Sequence, residues 1–211
     1  MKAPMGKNDE KTRAIVAAAI EQFDLCGFAG ANMDRIAETA QVSKRTVYNH
    51  FESKEALFHA IWDEMVTMAN ASIDIRYDPA RPVRPQLQAL GLAIAQLSCN
   101  REYMQVMRLA IGEFLRQPTQ LQKKTSTLEH DAICTAMFTA AVADGALATD
   151  DPGRAAAEFL ALIKAGSFWP SLFSGDIAAP EAVENAVASA VNVILKAYAA
   201  GDAHGERSGD I

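Results

Sequence analysis

The sequence predicts an all-α fold of about nine helices, in which three short N-terminal helices precede a larger helical bundle. Half of the 211 residues are hydrophobic and alanine is abundant, whereas runs of β-branched and aromatic residues are sparse. This composition favours helices packed on helices. The longest apolar stretch, residues 132–143, contains two threonines and is too short to span a bilayer. We therefore expect no membrane-spanning helix.

The N-terminal region carries the start signals of consecutive helices. Residues 13–26 form the first helical pattern, and Asn32 is a suitable cap for a second helix. Only residues 41–43 separate that helix from a third, which Ser43 caps, and a fourth follows from Ser53 to about residue 75. Two short helices joined by so tight a turn have the geometry that places a second helix in the major groove of DNA.

The third helix has two chemically different faces. At 100° per residue, Val47 and Phe51 lie on one side and predict contact with the core. The opposite side carries Arg45 and Asn49, flanked by Thr46 and Tyr48. Arginine and asparagine are the side chains that read guanine and adenine bidentately. This face therefore indicates a helix that reads bases.

These residues resemble the N-terminal signature of the TetR family. The similarity extends over about 45 residues, including TVYNHF at 46–51 and KEALF at 54–58. Two positions depart from the family pattern, since Asn32 replaces the usual threonine and Gln41 the usual glycine of the turn. Asparagine caps a helix as well as threonine does. A glutamine with positive φ costs about 1 kcal/mol, which the fold can tolerate.

The resemblance implies a DNA-binding domain at residues 9–58, with the helix-turn-helix motif at 32–51. It implies that Lys44, Arg45 and Asn49 meet the bases, that Thr46, Tyr48, His50 and Lys54 contact phosphates, and that Ser43 completes the site as the helix cap. Bulk charge gives no independent support. Residues 1–58 hold eight of the 20 basic and eight of the 26 acidic side chains, so the net charge of −6 falls on the rest. DNA affinity would then depend on where charges are placed.

The remaining chain predicts a linker followed by a helical body. Three prolines fall within residues 76–85, which we interpret as a linker that no helix crosses. Pro170 predicts a kink or a helix end, because its missing N–H leaves the carbonyl of Gly166 without a donor. Helical patterns then cover 86–98, 101–116, 118–145, 152–173 and 180–199, and the polar tail 201–211 is expected to be disordered.

This body is similar, over about a third of its length, to the C-terminal domain of AefR-like members of the same family. The similarity rests on residues 108–114, Pro118, Leu121 and 151–172. It implies that residues 59–200 bind a ligand and form a homodimer through the last two helices. The pattern of 180–199 is apolar on two faces, and which face meets the partner stays open. The candidate interface residues are Phe159, Ile163, Ala186, Val187, Ala190, Val191 and Ile194.

Large adaptable side chains in the middle helices suggest a pocket for a small apolar or amphipathic effector. Core packing is the alternative for each of them. The candidate lining consists of Met65, Met68, Met104, Met107, Phe114, Met137, Phe138, Phe168 and Trp169. Together these features predict a ligand-responsive repressor that binds a palindromic operator in double-stranded DNA as a homodimer.

Other classes of function find less support in the sequence. Glu55, His59 and Asp63 share a helical face that would also suit a metal, although a solvated salt-bridge face explains them. Cys99 or Cys134 could make the regulator redox-responsive, but both lie in apolar contexts, where thiols are usually inert. No nucleophile has a recognisable base partner, so we predict neither an enzyme nor a cofactor. A helical ligand carrier without a DNA role would leave the 41–51 pattern unexplained. The polar start MKAPMGKNDEKTR is unlike a signal peptide, which favours a cytoplasmic location.

Overall fold

The computed structural model describes residues 7–116 and 130–200. Within these ranges the fold is all-α, as predicted, with a 3₁₀ turn at Leu97–Cys99. The predicted tail 201–211 and the predicted helical residues 118–129 lie outside the described residues. The helices are α1 (Lys7–Gly30), α2 (Met33–Thr39), α3 (Lys44–His50), α4 (Lys54–Ala71), α5 (Val83–Gln96), α6 (Arg101–Arg116), α7 (His130–Ala143), α8 (Pro152–Gly166), α9 (Phe168–Ser174) and α10 (Pro180–Tyr198).

Helix α1 begins at Lys7, before its predicted start, and its regular helical backbone is broken at Gly27, next to the predicted end at residue 26. Gly27 has φ 68° and ψ 169°, a backbone conformation that glycine adopts without steric cost. The chain then resumes a helical turn, and the amide of Ala31 donates to the carbonyl of Gly27 at 3.1 Å. The kink gives α1 a short terminal turn over residues 28–30.

The proline-rich linker both begins and ends earlier in the chain than predicted. Helix α4 ends at Ala71 rather than near residue 75, and α5 begins at Val83. No helix crosses residues 76–85, as predicted, but α5 begins within them, before its predicted start at residue 86. Pro85 lies in the first turn of α5, where a backbone N–H has no intrahelical acceptor, so proline is tolerated there.

The helix predicted at 152–173 is divided in two, which adds a helix to the expected number. Pro170 was expected to produce a kink or a helix end, and a helix end is found three residues earlier, at Ser167. The amide and hydroxyl of Ser167 both donate to the carbonyl of Ile163, at 3.1 and 2.8 Å, and close the end of α8. Because the proline ring clashes with the carbonyl of the fourth residue before it, the distortion begins near Gly166.

The described residues form two compact units. The first contains residues 7–69 and 101–116, so the structure groups α4 up to Ala69, and α6, with the N-terminal helices. This division differs from the boundary predicted at 58/59. The first unit contains an aromatic cluster of Phe23, Phe28 and Phe58, whose ring centroids are 5.5–6.3 Å apart.

The second unit contains residues 70–100 and 130–200. In it α10 packs against α8 and α5, and α7 packs against α8. Gly91 permits a close approach of α5 to α10, since a Cβ at this position would lie 2.8 Å from Cγ1 of Val187. Among the residues described in either unit, no helix has both the length and the apolar character needed to cross a membrane.

Candidate DNA-binding site

The helix-turn-helix has the caps that the sequence predicted. The Asn32 side chain accepts from the amide of Arg35 at 2.9 Å, and the Ser43 hydroxyl accepts from the amide of Thr46 at 3.1 Å. Gln41 has φ 55°, which confirms the predicted positive-φ position in the turn. Val47 is fully buried and fixes the inner face of α3 against the rest of the first unit.

The outer face of α3 presents the residues expected to read bases. Arg45 and Asn49 are exposed, and Tyr48 is 52% exposed beside them. Phe51 caps the C-terminal end of α3 and is half-buried, less than its predicted core role requires. Since Val47 points inward and Arg45 and Asn49 point outward, the helix offers hydrogen-bonding groups to a partner without disturbing the core.

Lys44, the first residue of α3, is paired with an acidic side chain. Its Nζ lies 2.5 Å from Oδ2 of Asp34 in the first turn of α2. The hydrogen bond to Asp34 raises the pKa of Lys44 above its ordinary value. The ammonium is therefore charged at neutral pH, but its charge is locally balanced. The sequence interpretation did not anticipate this pairing.

Two of the predicted phosphate-binding residues already have partners inside the chain. The Thr46 hydroxyl is half-buried and lies 2.8 Å from the Ser43 hydroxyl, so it belongs to the cap of α3. Nδ1 of His50 lies 3.1 Å from Oγ1 of Thr12 and ties the end of α3 to α1. Both residues orient the recognition helix, and their contacts to phosphate stay predictions.

Lys54 makes a contact that the sequence reading missed. Its Nζ donates to the carbonyl oxygens of Phe28, Ala29 and Ala31 at 2.5, 3.3 and 3.0 Å. The ammonium therefore caps the carbonyl end of α1, where the helix dipole favours a cation. A phosphate contact by Lys54 stays a prediction and would compete with these three acceptors. Gly27 was the feature of the sequence that could have predicted this contact of Lys54. A glycine that breaks a helix creates a helix end, and a helix end leaves carbonyls in need of a donor.

The nine residues predicted to line an effector pocket are distributed over both units. Six are buried, but Met68, Phe114 and Trp169 are each more than 40% exposed, so they do not line an enclosed cavity. Of the nine, Met137 borders an open cleft of about 460 Å³ in the second unit. The cleft lies between the segment after α4 and helix α7, and it is lined by Asn70, Ile73, Asp74, Ile75, Arg76, Tyr77, Ile133, Ala136, Met137 and Ala140.

Six of the seven predicted dimer residues are buried within the single chain. Each is at most 2% exposed within the single chain. The reason is that one face of α10, which carries Val187, Ala190, Val191 and Ile194, forms the core of the second unit together with the inner face of α8. These six are Phe159, Ile163, Val187, Ala190, Val191 and Ile194. Ala186 alone among the seven is partly exposed. The outward surface carries instead Leu162 and Val193, which are 36% and 46% exposed.

The sequence offered Cys99 and Cys134 for redox chemistry and Glu55, His59 and Asp63 for a metal. Burial raises the pKa of Cys99, and it raises the pKa of Cys134 to about 12, so both thiols are protonated at neutral pH. A protonated thiol is a poor nucleophile. Within residues 7–116 and 130–200, no cluster of three or more His, Cys, Asp or Glu side chains could hold a metal ion.

A capped recognition helix with an outward Arg and Asn face, followed by a helical body, defines a helix-turn-helix regulatory protein. Residues 15–61 match the family described as bacterial regulatory proteins, tetR family. Residues 85–200 match the AefR-like transcriptional repressor, C-terminal domain. The chain belongs to the TetR family of transcriptional regulators, which are not enzymes.

Individual relatives agree with this assignment. A TetR family regulator from Pseudomonas syringae pv. tomato DC3000 is 36% identical, with a TM-score of 0.76 over 90% of this chain and 98% of its own. The flavonoid-responsive regulator FrrA is 25% identical, with a TM-score of 0.68 over 90% and 98% of the two chains. The transcriptional regulator RutR of Escherichia coli K12 is 32% identical over 105 residues, which cover 50% of this chain and 48% of RutR. The chain thus spans about half the length of this curated relative.

Proposed function

We propose that this protein is a ligand-responsive, sequence-specific repressor that acts in the cytoplasm and binds a palindromic operator as a homodimer. The observation that carries the proposal is the outward pairing of Arg45 and Asn49 on a helix anchored by Val47. These two side chains can each make a bidentate contact with a purine. The match of residues 85–200 to an AefR-like repressor domain supports repression over activation.

The outer surface of α8 and α10 supports the homodimer. Leu162 on α8 and Val193 on α10 are exposed apolar side chains. Between them the helices approach closely, since a Cβ at Gly166 would lie 2.5 Å from Cβ of Ala186. This surface is flat because the exposed residues between the larger side chains are small, at Ala161, Ala165 and Gly166. A second copy applied to the same surface would bury it and generate the two-fold axis that a palindromic operator requires.

The cleft between the segment after α4 and α7 is our proposed site for an effector. Its volume of about 460 Å³ suits a small molecule. Ile73, Ile133 and Met137 give it an apolar wall, while Asn70 and Arg76 lie at polar positions, so the proposed effector is amphipathic. The hydroxyl of Tyr77 donates to Asp144 at 2.7 Å and fixes one end of the cleft. FrrA is named as flavonoid-responsive, which supports a small-molecule effector here.

Selection of bound DNA from a random pool tests the proposed function. We expect enrichment of a two-fold symmetric site whose half-sites lie about one helical turn apart or slightly more. Arg45→Ala should alter the enriched sequence at one base position in each half-site. Arg81→Ala, at an exposed arginine of the linker, is the matched control and should enrich the wild-type sequence. Enrichment of no sequence by the wild-type dimer would contradict the proposal.

A further inference from the structure

The first turns of α2 and α3 bring Asp34 and Lys44 together at the edge of the reading face. Backbone hydrogen bonds in the turn fix this arrangement, because the amides of Gln41 and Val42 donate to the carbonyls of Glu38 and Ala37 at 3.1 and 3.0 Å. The Lys44 ammonium then donates to the Asp34 carboxylate at 2.5 Å. The two side chains are 60% and 50% exposed, so a DNA groove can reach both.

The pair with Asp34 changes which groups of DNA the Lys44 ammonium can bind well. A free lysine binds any phosphate, and the release of counterions makes that binding strong, salt-dependent and independent of sequence. The pair with Asp34 carries no net charge, so its phosphate contacts release few counterions. The ammonium has three N–H donors, however, and Asp34 accepts one. Two remain for the O6 and N7 acceptors of a guanine.

We propose that Asp34 is a specificity-determining residue that converts Lys44 from a phosphate-binding charge into a base-reading hydrogen-bond donor. The inference rests on the proposed function, since it requires that α3 enters a DNA groove. Its effect is a penalty on non-specific DNA, which offers mainly phosphates to Lys44. Specificity achieved by weakening competitors is as effective as specificity achieved by strengthening the correct complex.

Asp34→Asn tests the proposal because asparagine keeps the size and the acceptor oxygen of aspartate but removes its charge. We expect tighter binding to random-sequence duplex and a smaller ratio of operator to random affinity. The slope of log affinity against log salt should steepen by about 0.9 for one added phosphate contact, or roughly a threefold larger affinity loss between 50 and 200 mM salt. Glu64→Gln, an exposed carboxylate on α4, makes the same charge change away from α3 and should alter neither slope nor ratio.

A double variant shows whether Asp34 acts through Lys44. In a Lys44→Met background, Asp34→Asn should leave the salt slope and the affinity ratio unchanged. If Asp34→Asn steepens the slope equally in both backgrounds, Asp34 repels DNA directly and the proposal is overturned. It is also overturned if Asp34→Asn behaves like Glu64→Gln. If the wild-type protein binds no operator, the proposed function is contradicted. This outcome differs from the results that overturn the proposal about Asp34, so the two failures are distinguishable. Thermal melts of each variant confirm that the domain remains folded.

Discussion

The ammonium of Lys54 lies 2.5 Å from the carbonyl oxygen of Phe28 and 4.6 Å from the centre of the Phe28 ring. The first residue of α4 is therefore bound to the terminal turn of α1. Phe28 also packs on Phe58, one turn further along α4. The two contacts fix the start of α4 against the end of α1 within the same unit.

Replacing Lys54 by methionine should destabilise the first unit and weaken binding to every DNA sequence alike. Three carbonyls would lose a charged donor, and a hydrogen bond to a charged group makes a net contribution of about 1.5–3 kcal/mol. We expect a net loss of about 1–3 kcal/mol in the free energy of unfolding, measured by urea denaturation. Lys196→Met, at an exposed position in the last turn of α10, is the control. A flatter salt dependence of DNA binding with unchanged stability would show that Lys54 binds phosphate and that the cap is unimportant.

Base reading by α3 predicts different results for neighbouring residues. Arg45→Ala or Asn49→Ala should each cost about 1–3 kcal/mol in operator binding and relax the preference at one base position. Tyr48→Phe should weaken all sequences by a similar factor, because a hydroxyl that meets a phosphate carries no sequence information. Titration of each variant against the operator and single-base substitutions of it measures both effects. If Arg45→Ala kept the affinity and the base preference of the wild type, its assignment as a base reader would be wrong.

The surface of α8 and α10 predicts which charged substitutions separate assembly from folding. Leu162→Arg and Val193→Arg should produce folded monomers, since both side chains are exposed in the single chain. Val187→Arg should damage the fold, because Val187 is 2% exposed and a buried unpaired charge costs several kcal/mol. Sedimentation equilibrium measures assembly, and circular dichroism measures folding. A wild-type protein that sediments as a monomer at micromolar concentration would contradict the homodimer.

Acidification should destabilise the second unit through His130. Burial, with a smaller contribution from Lys164, lowers the pKa of His130 to about 4, and its Nε2 has no hydrogen-bond partner among the residues that the structure describes. Because the unfolded chain binds this proton near pH 6.5, stability should fall as the pH drops from about 6.5 towards 4, by up to about 1.4 kcal/mol per pH unit. The measurement is the urea concentration at the midpoint of unfolding, determined at pH 7 and at pH 5 for the wild type and for His130→Leu. An equal pH dependence in both proteins would show that His130 does not contribute.

The sequence predicted the elements whose signals are local. The caps at Asn32 and Ser43, the strained Gln41 and the inward Val47 follow from residue chemistry and helical periodicity alone. Periodicity did not determine which of two apolar faces on α10 is internal, because both faces look alike until α5 and α8 are placed around them. The contacts of Lys54 and Lys44 were missed for a related reason. Each depends on a partner in another helix, at Phe28 and Asp34, and pattern analysis within one helix does not contain that information.

Effector binding should be coupled to DNA binding through the proposed cleft. Our hypothesis is that an amphipathic compound in this cleft shifts α4 and changes the spacing of the two recognition helices in the dimer. A compound that weakens operator binding tenfold must itself bind tenfold more weakly to the operator complex, about 1.4 kcal/mol of coupling, because linkage is reciprocal.

Trp62 and Trp169 provide fluorescence signals for the titration, with Trp169 on α9 41% exposed and Trp62 on α4 half-buried. The measurement is the affinity of a compound that quenches this fluorescence, with and without saturating operator. Ile133→Glu would place a charge in the apolar wall of the cleft at a half-buried position and should weaken the compound in both states. Met68→Glu, at an exposed position on α4, is the control. Equal affinities with and without operator would show that the compound occupies the protein without acting as its inducer. Unchanged binding to Ile133→Glu would place the effector elsewhere, because the cleft is the site that this substitution alters.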